Sequence, residues 1–158
     1  MKGCGSVAFF VAGKPVTQGS KWSPKGSHAV IDQSGEKLTS WRELIGWEAK
    51  AAWSSGTVKG RVCVHLHFKM SRPNGHYGTG RNASMVKESS PQYHTQVPDI
   101  DKLTRAILDA LTGVVFRDDS QVQEIHVTKK WTEGDQGVLI MIETDPKGEN
   151  DNEGVHAD

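Results

Sequence analysis

The sequence predicts an α+β domain in which a mixed sheet of four or five strands carries two main helices. Three stretches make that prediction. Ile100, Leu103, Ala106, Ile107, Ala110 and Leu111 recur with a 3.6-residue period, the mark of an amphipathic helix with one buried stripe. Val62, Val64, Leu66, Phe68 and Met70 alternate with Cys63, His65, His67 and Lys69, the mark of a strand with one buried face. Val138-Leu139-Ile140-Met141-Ile142 is apolar on both faces, as an inner strand requires. At 158 residues the chain has room for one domain around a single moderate core.

In chain order, Ser6 to Ala12 reads as a first strand, ended by Gly13-Lys14-Pro15. Thr17 to Ser34 mixes Gly, Ser, Pro and Lys without a period and is expected to be a long loop. With Lys14, Lys21 and Lys25 around Trp22, it is either a solvated loop or an arm that contacts phosphates and stacks an aromatic ring on an unpaired base. Ser40-Trp41-Arg42-Glu43 has the form of a capping box, so a helix is expected from there to about Trp53. Its apolar stripe of Trp41, Leu44, Ile45, Ala51 and Ala52 includes Glu48, a carboxylate that needs a partner if buried.

The strand from Arg61 to Met70 sets Cys63, His65 and His67 in line on one face. Such a line could hold zinc, but no fourth ligand is evident, and histidines facing solvent or a partner are the plainer reading. Ser71 to Gln96 forms a second long loop, with Arg72, Arg81 and glycines at 75, 78 and 80. Gly78-x-Gly80 lacks the strand-to-helix setting of a dinucleotide fingerprint. A loop of this length is either a DNA-contacting flap or disordered.

The stretch from Val97 to Val122 organises the rest. Pro98 cannot continue a helix backwards and Asp99 is a good N-cap, so the central helix should start there and stop at Thr112-Gly113. Asp99 and Asp101 then share the positive end of the helix dipole. The helix rises about 20 Å, and an extended chain from Gly113 to Asp119 covers about the same distance, so Asp118 and Asp119 are expected to return beside Asp99 and Asp101. Converging carboxylates repel unless a cation lies between them, and hard oxygen ligands favour Mg²⁺ or Mn²⁺ over zinc. The competing reading is ordinary: Asp99 caps, Asp101, Arg105 and Asp109 form surface pairs, and Arg117-Asp118-Asp119 is a turn.

Val122 to Trp131 and Val138 to Glu143 are expected to pair as a hairpin, with Lys129 and Lys130 on opposite faces. Residues 1–144 should form the domain, and the acidic, period-free stretch 145–158 a disordered tail. The formal net charge is zero, but that stretch holds five acids and one base, which leaves 18 basic and 14 acidic residues in the body, a net of +4. Such a body is compatible with nucleic acid without demanding it. Cys4 and Cys63 make no disulfide framework, and the apolar run Val7 to Ala12 is too short for a signal peptide or a membrane span. A cytoplasmic protein with no membrane partner is expected.

Pro98-Asp99-Ile100-Asp101, Leu103, Leu108-Asp109-Ala110-Leu111-Thr112-Gly113 and Asp118-Asp119-Ser120-Gln121-Val122 together resemble the RusA family of Holliday junction resolvases. The resemblance runs from about Phe9 to Glu143 and is most specific in the central block. It implies a Mg²⁺-dependent homodimeric endonuclease that nicks four-way DNA junctions, with Asp99, Asp101 and one of Asp118 and Asp119, preferably Asp119, as metal ligands. It also implies basic contacts to branched DNA, for which Lys14, Lys21, Lys25, Arg72 and Arg81 are the candidates. Two positions depart from the family pattern. Lys102 stands where Asn is common, and Arg105 where the family has its catalytic lysine, so either can be the catalytic cation. Paired cuts related by two-fold symmetry call for a C₂ dimer. Leu108, at the edge of the helix stripe, and the five tryptophans hint at apolar interface residues, although ordinary core packing also explains them. A less selective flap or RNA nuclease and a non-catalytic junction-binding protein are the competing functions.

Overall fold

The computed structural model describes residues 5–19 and 35–145. Lys21, Trp22, Lys25 and the expected tail beyond Asp145 lie outside those residues. Four strands and two helices follow in the order β1 (Gly5–Ala12), α1 (Gly35–Ala52), β2 (Val62–Ser71), α2 (Ile100–Leu111), β3 (Val122–Thr132) and β4 (Gly137–Thr144). The sheet order is β1-β4-β2-β3. Only the β2–β3 pairing is parallel; β4 runs antiparallel to both β1 and β2. This is the mixed α+β architecture that the sequence predicts.

The alternation in β2 decides the layers. Val62, Val64, Leu66, Phe68 and Met70 are buried beneath the two helices together with Val138, Ile140 and Ile142 of β4. From α2, Leu103, Ala106, Ile107 and Leu111 are fully buried against them, so truncating Leu103 to Ala would cost about 2–5 kcal/mol. Gly137 opens β4 where the sheet is tightest: a Cβ there would strike the Val11 carbonyl and the Phe10 ring.

Two expectations fail for identifiable reasons. β3 and β4 do not form a hairpin, because β2 lies between them and each pairs with it instead. Four residues between β3 and β4 suffice to step across one strand, since neighbouring strands are only about 4.8 Å apart. Helix α1 starts at Gly35, so Ser40 is an interior residue and caps nothing. The buried stripe is Leu38, Trp41, Ile45 and Ala49, one turn earlier than the sequence suggests. Leu44, Glu48, Ala51 and Ala52 are exposed, and Glu48 therefore needs no buried partner.

The loop from Arg72 to Asp99 is an ordered structure. It contains two short 3₁₀ turns and a bridge between Tyr77 and Val86. Trp131 of β3 anchors it: His94 packs on the indole at 4.1 Å, His76 meets it edge-on at 5.1 Å, and the Arg72 guanidinium lies 5.4 Å from the ring centre. Arg72 Nη1 also donates to the Pro91 carbonyl, and Ser90 Oγ to that of His76.

Candidate functional site

Helix α2 begins with Asp99 as its N-cap residue, as expected, but the Asp99 side chain does not cap. Its Oδ2 instead lies 3.1 Å from Lys102 Nζ. Asp101, in the first turn, is exposed. The preceding backbone is held from a distance. Lys129 of β3 donates from Nζ to the Gln96 and Pro98 carbonyls, each at 2.7 Å, and the Gln18 N–H donates to the Lys102 carbonyl. The Val97-Pro98 peptide is cis. These bonds fix where α2 starts and where its first two aspartates stand.

Asp99 stands between two clefts. One, of about 790 Å³, is lined by Lys14, Lys37, Arg72, Asp99, Lys102 and Trp131, among others. The other, of about 770 Å³, runs past Asp99 and Asp101 to Thr128 and Lys129. His94 lines both. Two candidate DNA contacts, Lys14 and Arg72, thus share a wall with Asp99, although Arg72 is already engaged with Trp131 and Pro91. Arg81 is exposed in the turn Gly80–Asn82 and lines neither cleft. Arg105 is exposed one helical turn beyond Asp101. The ion pair between Asp101 and Arg105 that ordinary surface pairing would give does not form among the described residues; Lys102–Asp99 does.

Asp118 and Asp119 do not return to Asp99 and Asp101 within one protomer. The chain does not run extended after α2. Gly113 takes a positive φ of 81°, its N–H donates to the Phe116 carbonyl, and Phe116 bridges back to Thr112 and to Val58. Burial of Val115 and Phe116 closes this turn at the C-terminal end of the helix. The 12 residues of α2 therefore separate the two aspartate pairs by about 18 Å along the axis. β3 makes the return journey, and what it brings beside Asp99 is Val127, Thr128 and Lys129.

Gln121 organises the second pair. Its Oε1 accepts from the Arg117 and Asp118 N–H groups at 2.9 and 3.0 Å, and its Nε2 donates to the Val58 and Gly60 carbonyls at 3.0 and 2.9 Å. The Asp118 carboxylate accepts from the Ser120 N–H, and these bonds to Ser120 hold its pKa below the usual carboxylate value. Asp118 is thus occupied by its own turn, whereas Asp119 is exposed beside it.

Sequence reasoning missed Lys37 and His94, and it named Lys129 only as one of two lysines on opposite strand faces, not as the residue that holds the start of α2. His94 is 7% exposed, and its Nδ1 has no hydrogen-bond partner among the described residues. Burial, reinforced by the Lys129 charge, pulls its pKa below the ordinary value. Its place after Tyr93 in a polar loop gave no signal of burial.

A ridge of carboxylates beside a cleft walled by lysine and arginine suits a protein that handles phosphodiesters, holding the anionic backbone with cations and presenting acids to a metal. The comparisons agree. The model of the endodeoxyribonuclease RusA family matches residues 12–143, most of the chain. The chain belongs to the RusA family of endodeoxyribonucleases. It is also 26% identical over 142 residues to the uncharacterised protein YqaN of Bacillus subtilis (strain 168), covering 86% of this chain and 94% of that one. No helix among the described residues is long and apolar enough to cross a membrane.

Proposed function

We propose that this protein is a Mg²⁺-dependent, structure-selective endonuclease that resolves four-way DNA junctions by paired nicks, acting in recombination and repair in the cytoplasm, with residues 1–144 as its catalytic unit. The observation that supports this reading most directly is the position of Asp99 on the wall of a lysine- and arginine-lined cleft, with Asp101 in the cleft beside it, in a chain of this family. The donor set fits a hard cation, because the Asp99 and Asp101 side chains offer carboxylate oxygens. Bound there, Mg²⁺ or Mn²⁺ would supply an activated water and neutralise charge on the leaving oxygen. Asp99 and Asp101 would hold the ion. Lys14 and Lys37 bind the phosphate backbone, and Arg105, whose guanidinium is always charged, stabilises the developing negative charge.

One protomer supplies only two of the three expected carboxylates at this place. We therefore read the site as shared across a two-fold dimer, with Asp119 of the partner subunit completing it and Asp118 remaining in its turn. Exposed Leu44 and Trp47, which is 73% exposed, offer apolar surface of the kind that oligomer interfaces use. The Lys102–Asp99 pair favours one other reading, a junction-binding protein without activity, because an ammonium already neutralises one of the acids.

Synthetic four-way junctions, flaps and duplexes incubated with Mg²⁺ separate these possibilities: paired nicks in junctions alone are expected. Flap cleavage at a similar rate would mean a less selective nuclease, and tight junction binding without nicks the inactive binder. A mixture of Asp101→Asn and Asp119→Asn proteins tests the sharing. Exchange of subunits rebuilds one intact site per mixed dimer, so nicking returns if the site is shared and stays absent if each protomer holds its own.

A further inference from the structure

The sheet face turned away from α1 and α2 carries a second, chemically different cluster. Cys63 and His65 come from β2, Glu124 and His126 from β3, and Glu143 from β4. The register sets Cys63 opposite both Glu124 and Glu143, and His65 opposite His126. The two imidazoles stack with centroids 4.7 Å apart and planes 13° from parallel. Cys63 Sγ and one nitrogen from each ring all lie within 4.8 Å of one another. Cys63 Sγ is 3.4 Å from His65 Nε2, and Glu124 Oε1 is 2.9 Å from His126 Nε2. His67, the third residue of the Cys-x-His-x-His line, takes no part: it bonds to Thr128.

We propose that Cys63, His65 and His126, with Glu124 as the fourth donor, form a binding site for a divalent transition metal of the zinc class. One sulfur, two imidazole nitrogens and one carboxylate oxygen form a ligand set of the kind a tetrahedral zinc ion accepts, with bonds of about 2.0–2.3 Å. The same set suits Mg²⁺ poorly, since that ion prefers oxygen, so this site and the one at α2 would sort two different metals. The geometry is nearly assembled. Cys63 is buried, His65 is half-buried, and His126 and Glu124, paired with each other, lie exposed on β3, where side-chain rotation can bring the carboxylate in beside the other three. On binding, the Cys63 thiol proton passes to solvent and the sulfur bonds to the metal as thiolate. Without a cation, burial first and then the Glu124 and Glu143 charges oppose that ionisation, and Arg61 favours it; a divalent ion bonded to the sulfur favours the thiolate. Glu143 Oε1, 4.0 Å from His65 Nε2, adds a second negative charge beside the set, which favours a cation there.

The metal would clamp β3 to β2, its one sheet neighbour among the described residues. β3 carries Lys129 and Trp131, which hold the start of α2 and the loop before it, so the clamp steadies the strand from which the acid site is positioned.

The test uses the full chain, stripped with a chelator and dialysed against Zn²⁺ in excess Mg²⁺. One bound Zn²⁺ per chain is expected, and Co²⁺ in its place should give an intense near-ultraviolet thiolate-to-cobalt band. Cys63→Ser should lose that band. Because Cys63 is buried and its variant could misfold, His126→Gln on the exposed edge is the second probe; it should fold normally and lose stoichiometric binding. Zn²⁺ at roughly 100-fold over its Kd should raise the Tm of the unaltered protein by about 5 °C or more and leave that of His126→Gln unchanged. No Zn²⁺ uptake in excess Mg²⁺, or equal uptake by His126→Gln, overturns the proposal.

Discussion

The two ends of α2 carry the same groups, a pair of aspartates each, and hold them in opposite ways. At the N-terminal end, Asp99 and Asp101 stand where they do because Lys129, 28 residues beyond Asp101, grips the backbone before the helix, and because Trp131 anchors the loop that delivers it. At the C-terminal end, Asp118 and Asp119 are set by a turn that bonds to itself through Gln121 and Ser120. The first pair is placed by remote contacts, whereas the second is set by its own turn, which Gln121 in addition ties to the Val58 and Gly60 carbonyls. A site built from both would join a rigid local turn to a remotely supported helix start.

That contrast can be broken experimentally, and the largest effects belong to the acids themselves. Asp99→Asn, Asp101→Asn or Asp119→Asn should each lower Mg²⁺-dependent junction cleavage by about 10³-fold or more while binding persists in gel-shift assays, since removing charge weakens metal binding and eases the approach of phosphate. Asp118→Asn should cost only a few-fold, because its carboxylate serves the turn. Full activity in Asp101→Asn would remove the metal assignment. Next in size is Arg105→Ala, expected to lose about 10²–10³-fold, with Arg105→Lys retaining most of the rate. If Lys102→Ala is the crippled variant instead, the ammonium paired with Asp99 is the catalytic cation.

The supports should differ between the two ends. Lys129→Met frees the Gln96 and Pro98 carbonyls and should slow cleavage about 10²-fold through misplacement of α2, with the dimer still formed by sedimentation. Gln121→Ala strands backbone groups on both sides of the turn and should lower stability by about 1–3 kcal/mol in urea titrations. The smallest effect concerns His94. Its folded-state pKa lies below the ordinary 6.5, so the unfolded chain takes up a proton first as pH falls. The stability it contributes is complete above that pH and is lost progressively as pH falls from there towards the folded pKa. Thermal melts across this range should show a steeper loss for the unaltered protein than for His94→Phe. Parallel curves would mean His94 is not held neutral.

The sequence by itself determined most of the elements. Periodicity placed α2 and the buried face of β2, because burial on one side of a helix or strand must repeat with its geometry, and an unbroken apolar run marked β4 as an inner strand. Pro98, Asp99 and Gly113 marked the ends of α2 by backbone chemistry that acts over one or two residues. Only the tertiary structure decided which elements are neighbours. β2 lies between β3 and β4, although nothing local in the 133–136 connection distinguishes a step across one strand from a hairpin. The fully apolar runs fix burial but not partners. The returning Asp118-Asp119 was misplaced for the same reason: a length calculation gives the farthest reach of a chain, and the burial of Val115 and Phe116 stopped it at the near end. Cys63 and His65 were legible as a line on one strand, but His126 joined them through a parallel pairing between strands some 60 residues apart. Such pairings are set by the competition of whole faces for the core, and no single stretch of sequence records its outcome.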